Sequence, residues 1–210
     1  MTEQKPEPVT EPIVLPALPA EMTWMNAPVS AKANPPDGLE IAAGPMTDWF
    51  VDPAGHTPVT NAPAAVFTPP HEAFTLSARV RPRFASTFDA GVLFVYANEN
   101  QWAKLCFEYS PQHEPMIVSV VTQDVSDDCN SVTIPGGDVL LRIYRHGRII
   151  AFHYSADGAF WHMARYFTFG SAVPAQVGFS AQSPTGEGCT AAFSEIQYAP
   201  EALSDLRSGA

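Results

Sequence analysis

Charge is scarce in this chain, and basic charge scarcest of all. Eleven Lys and Arg stand against 22 Asp and Glu, for a net charge of −11 over 210 residues. A surface of that sign repels phosphate backbones and anionic headgroups, which argues against nucleic acid and against a membrane surface as partners. No apolar run reaches the ~20 residues that a helix needs to cross a bilayer. Cysteine is equally thin: Cys106, Cys129 and Cys189 are an odd number and build no disulfide framework. The opening Met1-Thr2-Glu3-Gln4-Lys5 has no basic segment leading into an apolar one, so no secretory signal is expected. Together these absences predict a reducing, cytoplasmic setting. The sequence also lacks a phosphate loop, a dinucleotide-binding glycine fingerprint and a Gly-x-Ser-x-Gly nucleophile elbow. Nothing in it calls for a cofactor.

Helical periodicity is missing too, and what replaces it is strand. Hydrophobic residues make up 46% of the chain, enough for a core without metals or disulfides. Pro6, Pro8, Pro12, Pro16 and Pro19 mark residues 1–21 as an extended or disordered arm, because proline fixes φ and removes a donor. One domain is expected over residues 22–199, with a short tail at 200–210. Within it, runs of alternating or β-branched and aromatic residues recur between Pro, Gly, Asn and Asp breaks. They include residues 38–43, 65–68, 73–84, 90–97, 101–109, 116–123, 132–134, 139–145, 148–155, 160–169, 176–181 and 190–198. Many short strands at near-regular spacing predict an all-β, two-sheet antiparallel sandwich. His146-Gly147 and Asp157-Gly158 supply hairpin turns.

Side chains alternate across a strand, so residues 101–109 divide into Ala103, Leu105, Phe107 and Tyr109 on one face and Trp102, Lys104, Cys106 and Glu108 on the other. The first set is core. The second puts a ring, a cation and an anion in one row. Residues 73–84 split likewise, with Arg79, Arg81 and Arg83 outward, and so do residues 139–145, with Arg142 and Tyr144 outward.

Several stretches in fixed order resemble the regulation-of-enolase-like family of concanavalin A-like domains. They are Thr47-Asp48-Trp49-Phe50, Asn61-Ala62-Pro63, Asp89-Ala90-Gly91-Val92-Leu93, Trp102-Ala103-Lys104, Glu108-Tyr109-Ser110, Ser126-Asp127-Asp128, Leu141-Arg142-Ile143, Tyr154-Ser155-Ala156-Asp157-Gly158 with Trp161, and Ser183-Pro184. The resemblance covers about residues 37–198. It implies a jelly roll of the lectin and glucanase type, with a concave and a convex sheet, and no established enzyme activity. Pro111-Gln112-His113-Glu114 departs from the family's short Gly-bearing turn.

On these grounds Trp102, Lys104, Glu108, Arg142 and Tyr144 are the expected ligand-binding residues, on the concave sheet. A ring stacks on a sugar's C–H face while charged groups bond its hydroxyls. The plain alternative is a solvated sheet face with an ion pair, Arg142 to Glu108 for instance, were their strands adjacent. Trp161 alternates with core positions and reads as core. Arg165 shares that parity and must emerge at an edge or cap a carboxylate. His153 and His162 become cross-strand neighbours if Ser155 pairs with Phe160, but zinc needs three or four ligands and no third is spaced for it. Ser126-Asp127-Asp128 reads as an Asx-type turn. Glucanases of this fold carry Glu-x-Asp-x-x-Glu on one strand; here Glu108 is alone on its strand face, so no catalytic residues are assigned. The expected function is non-catalytic binding of a carbohydrate or related polyhydroxylated metabolite. The alternatives are a regulatory module acting on a metabolic enzyme and, more weakly, a glycosidase.

Overall fold

The computed structural model describes residues 11–170 and 176–210. Among them no helix occurs. The strands are, in order, β1 (Thr23–Met25), β2 (Ser30–Asn34), β3 (Gly38–Ala43), β4 (Trp49–Phe50), β5 (Val59–Thr60), β6 (Ala64–Phe67), β7 (Ala73–Pro82), β8 (Ala90–Asn98), β9 (Gln101–Tyr109), β10 (Pro115–Gln123), β11 (Val125–Thr133), β12 (Val139–His146), β13 (Ile149–Ser155), β14 (His162–Phe167), β15 (Gln176–Gln182) and β16 (Cys189–Ala199). They form two antiparallel seven-stranded sheets, β1-β6-β15-β8-β9-β10-β11 and β14-β13-β12-β7-β16-β3-β2, with β4-β5 as a separate hairpin. The fold is a two-sheet jelly-roll sandwich of the concanavalin A-like type.

The alternation read from the sequence builds the core. Ala103, Leu105 and Phe107 of β9 meet Phe74, Leu76, Ala78 and Val80 of β7 and Leu141 and Ile143 of β12 in one buried cluster. Each fully buried aliphatic or aromatic side chain of this kind contributes about 1.5–3 kcal/mol of transfer free energy. The outward arginines of β7 are taken up in ion pairs. Arg79 bonds Asp138 at 2.9 Å and Glu195 at 2.6 Å, and Arg81 bonds Asp138 at 2.7 Å.

Four expectations change. Ile13, Leu15 and Leu18 pack into the main core and Ile13 bridges to Met22, so the chain from 13 onward is part of the domain; the first ten residues of the expected arm lie outside the described residues. Ser126-Asp127-Asp128 is strand, not turn: Asp124 alone turns the chain at φ 63°, a conformation Asp tolerates, and Gln123 pairs directly with Val125. His153 and His162 are not partners, because a bulge after Phe152 pairs His153 with Met163 and Tyr154 with His162. Trp161 precedes β14 and turns outward instead of into the core, its ring lying 4.0 Å from the Arg142 guanidinium carbon. Arg165 emerges at an edge and bonds Asp127 of β11 at 3.0 Å, stapling the rims of the two sheets.

Candidate functional site

The outer face of the first sheet carries the row expected on β9. Lys104 pairs with Phe94 of β8 and with Val120 of β10, and Val120 pairs with Asp128 of β11. Register thus sets Lys104 and Asp128 in line across three strands. Glu108 pairs with Ala90, and Ala90 with Gln182 of β15. The crossing from β3 to β6, residues 44–63, folds over one end of this face and brings Asp48 to the Lys104 ammonium.

Three sets of contacts seat that crossing. Thr47 and Ser183 exchange backbone hydrogen bonds at 3.1 and 3.2 Å. The Val51 amide donates to Ser126 Oγ at 2.9 Å while the Ser126 amide donates to the Val51 carbonyl at 2.9 Å. Trp49 drops onto the sheet edge-on to Trp102, with ring centroids 5.5 Å apart, and its indole N–H donates to the Ala62 carbonyl at 2.8 Å. Trp49, Trp102, Phe94, Val66, Ala62 and Ala64 form a second, smaller core beneath the crossing.

The pocket beside this small core encloses about 220 Å3 and is lined by Asp48, Lys104, Glu108, Asp128 and Gln182, with Phe50, Phe88, Val120, Pro184 and Thr185 as walls. Lys104 is only 2% exposed. Its ammonium donates to Asp48 Oδ1 at 2.6 Å and to Gln182 Oε1 at 2.9 Å, leaving one N–H with no partner among the described residues. That second bond fixes the amide: Gln182 Nε2 faces the Phe88 carbonyl at 3.3 Å and Glu108 Oε2 at 3.5 Å. Asp48 also accepts the Trp49 amide at 2.7 Å. Burial pulls the Lys104 pKa down, but its acidic neighbours, Asp48 foremost, outweigh it and the net shift is upward. Glu108 is pushed up to about 8, first by burial and then by Asp128 and Asp48, against the opposing pull of Lys104. At neutral pH the pocket therefore presents a fixed ion pair and an un-ionised carboxylic acid that both donates and accepts. Behind it Asp89 is fully buried and satisfied, accepting from Ser183 Oγ at 2.6 Å and from the amides of Ala85 and Ser86.

The expected site residues divide. Lys104 and Glu108 line the pocket together. Trp102 is 1% exposed beneath Trp49, so its ring face is not open for stacking; the crossing that covers it carries no strand signal of its own. Arg142 and Tyr144 belong to β12, in the other sheet. They face away from the sandwich like the pocket residues, but from its opposite side, and no Arg142–Glu108 pair exists. Asp48, Asp128 and Gln182 were not among the expected residues, although Asp48, Asp128 and the neighbour of Gln182 fall inside the stretches that carry the family resemblance. That was the available signal. Among the described residues no group of three His, Cys, Asp or Glu is arranged to hold a metal ion.

Fold and pocket define a concanavalin-like β-sandwich with a small, acid-lined pocket on the outer face of one sheet. The chain belongs to the family described as proteins of unknown function, DUF1349, which it matches over residues 24–201. Among curated proteins none matches the sequence. Solved structures do. A functionally unknown protein from Saccharomyces cerevisiae shares 23% identity over 87% of this chain and 97% of its own, with a TM-score of 0.74. The GH43 protein BlXynB from Bacillus licheniformis shares 16% identity over 78% of this chain and 33% of its own, at TM-score 0.65. A xylan β-1,4-xylosidase from Bacillus halodurans shares 14% over 76% of this chain and 32% of its own, at 0.61. The chain thus spans about a third of these two longer proteins, and the likeness is one of fold.

Proposed function

We propose that this chain binds a small polyhydroxylated ligand, a saccharide unit, in the pocket around Lys104 and Glu108, without transforming it. The observation that carries the reading is a buried ammonium with two partners among the described residues, beside a buried carboxyl group whose pKa burial raises to about 8, walled by Phe50 and Phe88. Hydroxyls need both donors and acceptors in a confined space, and an aromatic wall suits the C–H face of a sugar ring. The volume is below the roughly 300–1,000 Å3 of sites for drug-sized ligands, which favours a single ring. Asp48 is held by Lys104 and by the Trp49 amide, which weakens it as a base and disfavours a hydrolytic pair with Glu108. The resemblance to regulation-of-enolase-like proteins rests on sequence stretches alone and adds no partner to this reading.

Calorimetry and thermal shift against a saccharide panel test it. Xylose and xylo-oligosaccharides head the panel because one solved protein of this fold is a xylan β-1,4-xylosidase. One or more saccharides should raise the unfolding midpoint, by about 2.7 kcal/mol of added stability at a hundredfold excess over Kd. Phe88→Ala, an exposed wall residue, should weaken binding without unfolding the chain. A panel with no binder at millimolar concentration overturns the proposal, and release of product sugar overturns its non-catalytic part.

A further inference from the structure

The opposite side of the sandwich carries a second set of buried polar groups, unrelated to the pocket. Arg142 of β12 and His153 of β13 are cross-strand partners on the outer face of the second sheet. Arg142 is 7% exposed and His153 fully buried. The guanidinium lies over the Trp161 ring, and among the described residues no carboxylate comes within 4.0 Å of it. Its Nη2 donates to the Gly209 carbonyl at 2.7 Å, and His153 Nε2 bonds the Leu206 carbonyl at 2.8 Å. Among the described residues Arg142 Nε and His153 Nδ1 have no partner. Burial pulls Arg142 down to about 10 and His153 down to about 4.

What covers these groups is one turn of chain. The Gly209 and Ala210 amides return to the Asp205 carbonyl at 2.9 and 3.1 Å, and the Asp205 amide donates to the Ala210 carbonyl at 2.9 Å. Gly209 is the tip. Its φ of +74° is left-handed, and a Cβ there would run into Arg142 Nη2 and lie 2.7 Å from the Trp161 Cβ. Glycine is required on both counts.

A desolvated guanidinium is ordinarily matched by a full negative charge, and an unmatched one is costly. Here it meets the Gly209 carbonyl and the face of the Trp161 ring, with no carboxylate within 4.0 Å among the described residues. The stereochemistry is more specific still. Nε–H and one Nη2–H lie on the same edge of the guanidinium and together form the fork that grips a carboxylate with two parallel hydrogen bonds. The Gly209 carbonyl already engages Nη2 of that fork, and Nε beside it has no partner among the described residues.

We propose that the notch formed by Arg142, His153 and Trp161 is a second ligand site, built for a carboxylate group, and that the Asp205–Ala210 turn is a lid whose Gly209 carbonyl stands where one carboxylate oxygen would bind. A guest carboxylate takes both prongs, the Trp161 ring backs the guanidinium, and the turn swings away. The site and the saccharide pocket lie on opposite faces, so each stands or falls alone.

The test uses the full chain and follows the Arg142 Nε–H and Gly209 amide resonances during titration with acetate and, separately, with inorganic phosphate. Acetate should shift both signals together in the native protein, as guest replaces lid. In Gly209→Val, where the lid cannot seat, the same shift should need at least tenfold less acetate. Arg142→Lys in that background keeps the charge but loses the fork, and should return the affinity to that of a surface lysine. The proposal is overturned if acetate moves the Arg142 signal no more than it moves an exposed arginine such as Arg148, in both native chain and Gly209→Val. It is also overturned if phosphate binds and acetate does not, or if Arg142→Lys binds acetate as tightly as its parent.

Discussion

Lys104 and Glu108 show how two charged side chains on one strand face take opposite roles. Lys104 keeps its charge because Asp48 is brought to it at 2.6 Å and Gln182 takes a second N–H. Among the described residues no cation comes within 4.0 Å of Glu108, and burial raises its pKa to about 8. Removing the cation leaves Asp48 without its counter-charge in a nearly dry place. Lys104→Met should therefore destabilise the fold by about 3–5 kcal/mol, read from urea denaturation at neutral pH. Glu108 makes a pH-dependent contribution of definite sign. The folded chain holds its proton up to about pH 8, whereas the unfolded chain releases it near the ordinary value of 4.5. Between those limits the folded state binds the extra proton, so this contribution is complete at low pH and is lost as pH rises through 8. Glu108→Gln mimics the protonated acid and has nothing to lose. Its stability relative to the native chain should climb steadily from pH 5 to pH 8 and then level off. A gap that stays constant across that range in paired denaturation curves would show that Glu108 is ionised throughout.

The crossing between β3 and β6 decides what the sheet face becomes. Without it Trp102 would present a bare ring to solvent; with it, Trp49 and Trp102 make a small core and the open face contracts to a pocket. Trp49→Ala should cost about 3–5 kcal/mol, as deletion of a large buried ring does, and should unseat the crossing locally. Hydrogen exchange at the reciprocal Val51–Ser126 amides should speed up far more than exchange in the β7–β12 centre of the main core. Equal acceleration everywhere would mean that the crossing and the sandwich open as one unit. The same element marks the limit of what the sequence discloses. β9 was legible to the residue, Gln101–Tyr109, because period-two alternation is a local signal. Its outward face was legible for the same reason. The pocket was not, because Asp48 arrives from a loop with no periodicity and Gln182 from a strand two neighbours away. β11 was mostly missed because its run, Val125-Ser126-Asp127-Asp128-Cys129-Asn130, is polar on both faces, as an edge strand is free to be. The separation of Arg142 from Glu108 depended on sheet assignment, which alternation within single strands does not carry.

At the scale of the molecule, the two sheets share one continuous core and each has its outer face partly covered by chain that belongs to neither: residues 44–63 on one side, the Asp205–Ala210 turn on the other. Each cover traps polar groups that an open sheet would leave in water. Burial also sets the reactivity of the thiols. Cys106, on the outer face of β9, is fully buried, and Cys189 is 3% exposed. Burial raises both thiol pKa values, Cys189 to about 12, so neither supplies thiolate at neutral pH. Cys129, on the edge strand β11, is partly exposed. The native chain should therefore react with one equivalent of an aromatic disulfide reagent at pH 8, at Cys129, and with three after denaturation in guanidinium. Peptide mapping identifies the labelled residue. Rapid labelling of Cys106 in the native chain would mean that the covered face opens on the minute timescale, and with it the dry surroundings on which the Lys104 and Glu108 assignments depend.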